Sequence, residues 1–337
     1  MELAEYKTNA PKKILISGIS GQDGSYLSEY LLSLGHEVYG IIRRSSVPEH
    51  QESRIAHLND KIETFYGDLL DAGSLEKIMS IVMPDEIYHL GAQSHVRVSV
   101  DIPQFTCQVN AIGTLNMLEA YRKICPNARY YQASSSEMFG NSVDSDNFQR
   151  ENTKMAPVSP YGVSKVFGYN MVRHYRIAHN LFACNGILFN HESPLRRGSN
   201  FVTTKIVDGA IKIKLGLQEK LELGNLDSYR DWGYSGDYVK AMHMIVNHDK
   251  PDDFVVATGQ THSVREWCDL VFSKLGLDYK DHVIQNEKFL RPQELDYLRG
   301  DSTKIKETLG WEPEHSFDWL LTEMVKQRME VIQNKLK

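Results

Sequence analysis

Residues 13–35 restrict the fold more tightly than any other stretch of this chain. K-I-L-I-S at 13–17 is a continuous apolar run of strand length, the pattern of a parallel strand buried on both faces. Gly18, Gly21 and Gly24 follow at once, and a helical spacing of apolar residues then runs over 26–34 and stops at Gly35. Strand, glycine-rich turn and helix in that order bring bare backbone to a helix N-terminus, where N–H groups and the helix dipole favour a bound pyrophosphate. A chain that starts this way is expected to continue as alternating strands and helices, with its ligands at the carboxyl ends of the strands.

The alternation does continue. Strand two, 37–42, ends in Arg43-Arg44-Ser45-Ser46. A carboxylate at that point suits free ribose hydroxyls, whereas arginine and serine suit a 2′-phosphate, so the expected cofactor is NADP. Strand three, 62–66, leads to Asp68, placed to meet an adenine edge, and a helix is expected over 74–82. Strand four, 86–90, ends in Gly91-Ala92-Gln93-Ser94, small residues that let backbone approach a cofactor. His89 and His95 flank that turn and read as packing or hydrogen-bonding residues. A long helix over 104–122 precedes strand five, 130–133, which delivers Ser134-Ser135-Ser136-Glu137 at its carboxyl end; a polar loop, 141–157, follows. Strand six, 182–189, ends in Asn190-His191-Glu192. The rhythm predicts a Rossmann-type, doubly wound parallel α/β sheet over 11–190. Beyond it, helices at 201–215, 235–247, 264–275 and from 317 onward, with short strands at 220–223 and 254–257, predict a smaller α+β substrate lobe over 191–337. A substrate would sit in the cleft between the two.

Composition removes several function classes. The 337 residues carry a formal net charge of -6 and no basic run longer than the pairs Arg43-Arg44 and Arg196-Arg197, so a nucleic-acid footprint is missing. The four cysteines, Cys107, Cys125, Cys184 and Cys268, are far apart and match neither metal-ligand nor disulfide spacings. No metal is predicted. No apolar stretch approaches the ~18 residues of a membrane span, and the polar start lacks a signal core, so a cytoplasmic location is expected.

S-P-Y-G-V-S-K at 159–165 supplies the reactive groups. Ser159 suits an N-cap and Pro160 the first helical position. Tyr161 and Lys165 then stand at i and i+4, on one helix face. An ammonium beside a phenol is expected to lower its pKa from about 10 toward neutrality, giving a base for a sugar hydroxyl.

With these motifs placed, nearly the whole chain resembles the extended short-chain dehydrogenases/reductases that modify nucleotide sugars. The glycine spacing, G-x-x-G-x-x-G, is their form. More narrowly it resembles the GDP-mannose 4,6-dehydratase family, through G-I-S-G-Q-D-G-S-Y-L at 18–27, R-R-S-S at 43–46, Y-H-L-G-A-Q-S-H-V at 88–96, N-G-I-L-F-N-H-E-S-P at 185–194, L-G-N-L-D-S-Y-R-D-W-G at 223–233 and R-P-Q-E-L-D at 291–296. The resemblance implies a hydro-lyase that turns GDP-mannose into GDP-4-keto-6-deoxymannose. Tyr161 would take the proton of the carbon-4 hydroxyl while hydride passes to NADP, with Lys165 holding the nicotinamide ribose. Glu137 would remove the carbon-5 proton, water would leave from carbon 6, and hydride would return there. Ser135 would bind the carbon-4 oxygen. The implied cofactor contacts are Gly18, Gly21, Gln22, Asp23, Gly24, Arg43, Ser45, Ser46, Asp68, Leu69, Leu90, Gly91, Ala92, Gln93, Tyr161, Lys165 and His191. The implied substrate contacts are Ser94, Ser135, Glu137, Asn190, Lys205, Arg230, Arg291 and Glu294, with arginine and lysine suited to a diphosphate and Glu294 to a ribose or guanine donor.

Two departures from the family pattern stand out. Ser135 replaces the usual threonine, which keeps the hydroxyl and loses the methyl that restricts its rotamer. The turn after Pro194 is one residue longer, and Thr204 stands where many relatives carry arginine. These leave open the same chemistry on a GDP-linked heptose, a C4 oxidase or epimerase, and a non-catalytic NADP-binding regulator. The family also implies a homodimer or homotetramer, with residues 43–52 long enough to reach a neighbouring subunit.

Overall fold

The computed structural model describes residues 10–44, 54–196, 201–290 and 293–336. Its first part follows the sequence rhythm: β1 (Lys13–Ser17), α1 (Gln22–Ser33), β2 (Glu37–Ile42), β3 (Ile62–Tyr66), α2 (Ala72–Val82) and β4 (Glu86–His89). Then come α3 (Val96–Asp101), α4 (Pro103–Cys107), α5 (Gly113–Ile124), β5 (Arg129–Ser135), α6 (Pro160–Ala178) and β6 (Ala183–Leu188). The remainder holds β7 (Asn190–Glu192), α7 (Val202–Lys214), β8 (Leu221–Leu223), β9 (Tyr229–Tyr234), α8 (Ser235–Val246) and β10 (Asp253–Val256). It ends with β11 (Thr261–Ser263), α9 (Val264–Lys274), β12 (Val283–Gln285), α10 (Thr303–Leu309) and α11 (Phe317–Asn334).

Seven strands form one parallel sheet in the order β10-β6-β5-β4-β1-β2-β3. Alternate side chains of a strand face opposite ways, and both faces are covered. Ile14, Ile16, Tyr88 and Tyr131 pack with Leu27 and Leu31 of α1 and Val239, Met242 and Ile245 of α8. Leu15, Ile87 and Tyr130 pack on the other side with Leu75 and Met79 of α2, Met117 and Leu118 of α5, and Val172 and Tyr175 of α6. Each such aliphatic side chain, fully buried, contributes about 1.5–3 kcal/mol. The chain reverses direction across the sheet between β1 and β4, the switch point at which ligands settle in this architecture.

Two elements differ from expectation. The strand expected at 254–257 does not belong to the small lobe: as β10 it pairs with β6 at the edge of the main sheet. All four of its residues are buried, so the sheet interior is where its apolar surface can be covered. The two lobes interleave across residue 190, because β10 extends the main sheet and α8 covers one of its faces. The helix expected over 104–122 is interrupted by a π-helical turn, Gln108–Ile112, between α4 and α5. The small lobe has its own core of α7, α9 and α11 around Trp232, Trp267 and Phe272. Its strands form a three-stranded set, β11-β9-β7, and a pair, β12-β8.

Candidate active site

The carboxyl ends of the sheet open into a cavity of about 830 Å³ whose far wall is the small lobe. At one end lies the glycine-rich turn. Gly18 has φ +75°, and a Cβ there would sit 2.8 Å from the Gly91 nitrogen, so only glycine lets β1 and β4 close so tightly. Gly21 precedes α1 and no side chain caps that helix. Bare backbone, an uncapped helix start and the adjoining Leu90, Gly91 and Ala92 line the same space. That cradle suits the pyrophosphate of a dinucleotide.

Around the turn, side chains tie it to the strand ends. His191 Nε2 lies 2.9 Å from Asp23 Oδ2 and its Nδ1 2.7 Å from the Phe189 carbonyl. Burial works against the Asp23 carboxylate, but the His191 and Arg196 charges outweigh it and hold Asp23 well below the usual carboxylate range. Burial likewise opposes the imidazolium, yet Asp23 raises His191 above its ordinary value. Gln22 donates to the His191 carbonyl at 3.2 Å and accepts from Ser193 Oγ at 2.9 Å.

The reactive groups meet where β5 and α6 converge. Past Ser135 the chain makes a 3-10 turn, Ser136–Met138, whose first N–H groups include that of Glu137, donating to Ser135 Oγ at 3.2 Å. Ser159 caps α6, accepting from the Gly162 N–H at 3.0 Å. The two turns press together: a Cβ on Gly162 would fall 2.7 Å from the Glu137 carbonyl oxygen. Tyr161 is thereby held against the strand end, with Ser135 hydrogen-bonded to its phenol. Lys165 donates to the Ala133 carbonyl at 2.8 Å. Tyr161, Lys165 and Glu137 are all less than a tenth exposed and line the cavity.

The electrostatics differ from the expectation drawn from Y-x-x-x-K. Burial pushes the Tyr161 phenol up to about 12, against the Ser135 hydrogen bond and the Arg196 charge, with Glu137 and Asp23 raising it further. Lys165 does not reverse this: its Nζ stands 5.7 Å from the Tyr161 ring centre and is committed to Ala133. Desolvation lowers Lys165 itself to about 8. Burial therefore favours the neutral phenol.

Most of the residues singled out in the sequence gather here. Gly18, Gly21, Gln22, Asp23, Gly24, Leu90, Gly91, Ala92, Ser94, Ser135, Glu137, Tyr161, Lys165, Asn190, His191, Lys205, Arg230 and Glu294 all line the one cavity. Lys205 lies 3.6 Å over the Phe289 ring, a cation–π contact, and Asn190 Oδ1 is buried with no hydrogen-bond partner among the described residues. Asp68, Leu69 and Gln93 stand behind the lining. Asp68 accepts from the Leu70 N–H, and Leu69 packs on Gly91 and Gly113. Gln93 braces the loop through His95 and Thr106. Arg43 is exposed just past β2; Ser45, Ser46 and Arg291 lie outside the described residues. His89, bonded to Ser17 at 2.6 Å and lowered to about 3 by burial, is a packing residue, and His95 caps α3.

Sequence reasoning missed Asn110 and Arg54. Asn110, on the π-helical turn, grips the Gln93 backbone at 2.8 and 3.0 Å and reaches Ser164 of α6 at 3.1 Å, so it ties the β4 loop to the helix that carries Tyr161 and Lys165. One polar residue on the buried face of an apolar helix was its only signal. Arg54 follows a polar segment and offered none.

A parallel sheet with a glycine turn at its switch point, and a serine, a tyrosine and a lysine converging at β5 and α6, defines the short-chain dehydrogenase/reductase class. Solved structures agree on the fold: the dTDP-glucose 4,6-dehydratase of Bacillus anthracis, in complex with NAD, aligns with TM-score 0.82 over 96% of this chain and 99% of that one, at 21% identity. The GDP-mannose 4,6 dehydratase family model matches residues 15–324. GDP-mannose 4,6 dehydratase 1 of Arabidopsis thaliana is 48% identical over 95% of this chain and 91% of its own length, and GDP-mannose 4,6 dehydratase of Homo sapiens 45% over 94% and 91%. The chain belongs to the GDP-mannose 4,6 dehydratase family.

Proposed function

We propose that this chain is a hydro-lyase converting GDP-mannose to GDP-4-keto-6-deoxymannose on tightly held NADP. The observation that carries the reading is Glu137: a buried carboxylate set against the Tyr161 turn, lining the same cavity as the glycine-rich turn, Tyr161 and Lys165. A C4 oxidation or epimerisation uses the tyrosine and lysine alone; a carboxylate at this place serves proton removal from carbon 5.

Gly18, Gly21, Gln22, Gly24 and the Leu90–Gly91–Ala92 backbone would hold the dinucleotide, and Arg43 with Ser45 and Ser46 a 2′-phosphate. When bound, its nicotinamide supplies a reversible hydride acceptor and a positive charge near the phenol. Tyr161 takes the carbon-4 hydroxyl proton, Ser135 holds that oxygen, and Lys165 lies beneath the pair on Ala133. The resulting ketone acidifies carbon 5, and Glu137 accepts its proton. That proton and the carbon-6 hydroxyl leave together as one water. Lys205 and Arg230, with Arg291, are suited to the diphosphate and Glu294 to the guanine side. The elimination leaves a carbon 5–carbon 6 double bond, and the hydride given up at carbon 4 would be restored at carbon 6 with a proton at carbon 5, so no net redox change results and a cofactor that stays bound would fit the cycle.

No helix of the described residues is long and apolar enough to cross a membrane, in keeping with action in the cytoplasm, and a homodimer or homotetramer, measurable by light scattering, is the expected assembly. The deciding experiment incubates the purified protein with GDP-mannose and NADP or NAD. A product lighter by one water and labile to alkali is expected, faster with NADP; no such product from GDP-mannose ends the reading.

A further inference from the structure

Arg54 bridges the two walls of the cavity where the glycine-rich turn begins. Its backbone is fixed from below: Ser25 Oγ on α1 donates to the Arg54 carbonyl at 2.8 Å, and the next residues, Ile55 and Leu58, are buried in the core over α1. From that fixed point the guanidinium reaches in two directions. Nη1 donates to the Ser20 carbonyl, inside the glycine-rich turn, at 3.1 Å. Nε donates to the Leu195 carbonyl at 2.9 Å. Leu195 lies in the turn after Pro194, on the wall opposite the glycine turn and next to the cavity-lining Arg196. The same two segments are joined further in by Ser193 to Gln22 and by His191 to Asp23, while Arg196 donates to the His191 carbonyl at 2.6 Å and to Glu192 at 2.7 Å. Ser20, Gln22, Asp23, Arg54, His191 and Arg196 all line the cavity.

A planar guanidinium can give two N–H bonds in fixed, divergent directions, which an ammonium on a flexible stem cannot reproduce. Bonds from a charged donor are also stronger than neutral ones. We propose that Arg54 is a latch, clamping residues 193–196 down against the glycine-rich turn, and that it sets how slowly a bound nicotinamide dinucleotide leaves. The inference rests on the dinucleotide-binding reading above and extends it. A reaction that restores its cofactor each turnover gains nothing from releasing it, and Arg54 supplies a physical means of retention that acts on the protein's two walls. Arg54 is a positioning residue: its bonds to Ser20 and Leu195 are to protein carbonyls.

The test loads the protein with NADPH, then follows loss of its fluorescence after a chase with excess NADP. Arg54→Met keeps the length and apolar stem and removes both bonds; its dissociation rate should rise by about tenfold or more, a loss of ~1.4 kcal/mol or greater. Arg54→Lys, a milder change that covers the case in which the Met variant does not fold, should also release faster than the natural protein because it cannot span both carbonyls. In parallel, amide exchange at Arg196, whose N–H bonds the Ser193 carbonyl at 3.0 Å, should quicken in either variant without ligand. Unchanged release from a folded Met variant overturns the latch, and a Lys variant indistinguishable from the natural protein overturns the two-carbonyl bridge. Failure of the natural protein to bind any nicotinamide dinucleotide strikes instead at the proposed function.

Discussion

Gly162→Ala sets two forces of opposite sign against each other at the point where the catalytic helix begins. Alanine is a better helix former than glycine by about 1 kcal/mol, so propensity alone predicts a more stable protein. The structure predicts otherwise. The added Cβ would stand 2.7 Å from the Glu137 carbonyl oxygen, 2.9 Å from Pro157 Cβ and 3.4 Å from the Glu137 carbonyl carbon. The closest of these is backbone, which cannot swing aside like the end of a side chain, so the Glu137 turn and α6 must part by roughly 0.7 Å to reach ordinary contact, and overpacking of this kind costs about 1–3 kcal/mol. The net expectation is a loss of ~0–2 kcal/mol, read as a lower midpoint in urea unfolding. The effect on turnover should be larger, because Glu137 and Tyr161 flank the contact and misplacement of reacting groups by about 1 Å can lower rates by 10²-fold. A fall in kcat of at least tenfold, with little change in nucleotide-sugar affinity, is expected. A variant that gains about 1 kcal/mol and keeps its kcat would refute the argument that these two turns set the geometry of the site.

Glu137→Gln keeps the shape and removes the base, so dehydration should drop by ~10²–10⁴-fold while GDP-mannose still binds; the check is exchange of the carbon-5 hydrogen with deuterated solvent, which should be lost with it. Ser135→Ala removes the hydrogen bond that most lowers the Tyr161 phenol; a phenol must lose its proton to act as base, so the rising limb of kcat against pH should move to higher pH, and Ser135→Thr should leave it in place. The buried thiols of Cys125, Cys184 and Cys268 are each pushed up to about 12 by desolvation from an ordinary value near 9. The unfolded chain gives up those protons first, so the stabilisation they represent is present below about pH 9 and is lost as pH rises toward 12. Buried tyrosines such as Tyr121 and Tyr169 are raised in the same sense, and Lys165, whose value is lowered, acts the other way; the urea midpoint should therefore fall as pH rises from about 9.5 to 10.5, and a flat midpoint over that range would contradict it.

Much of the site could be read in the sequence because its signals are local. Strand, glycine turn and helix are neighbours in the chain, and so are Ser159, Pro160, Tyr161 and Lys165, so spacing alone placed them. A continuous apolar run and the regular alternation of strand and helix located β1 to β6, each within a residue or two. What local pattern could not convey was which distant segment would cover a buried face. The F-V-V-A run at 254–257 was legible as a strand, but its pairing with β6 depends on α8 closing over the same side of the sheet. Asn110 needed the π-helical turn to aim it at Gln93 and Ser164, and Arg54 needed Leu195, 141 residues away.

The sequence by itself therefore determined the class of fold and the positions of the glycine turn and of the Tyr161–Lys165 pair, since each is written in residues a few positions apart. Only the tertiary structure decided their state. An ammonium four residues from a phenol promised a lowered pKa, and on an isolated helix in water that sign would hold. In the folded chain Tyr161 has lost its solvent and Lys165 has turned to the Ala133 carbonyl, and desolvation, which no spacing encodes, sets the phenol instead.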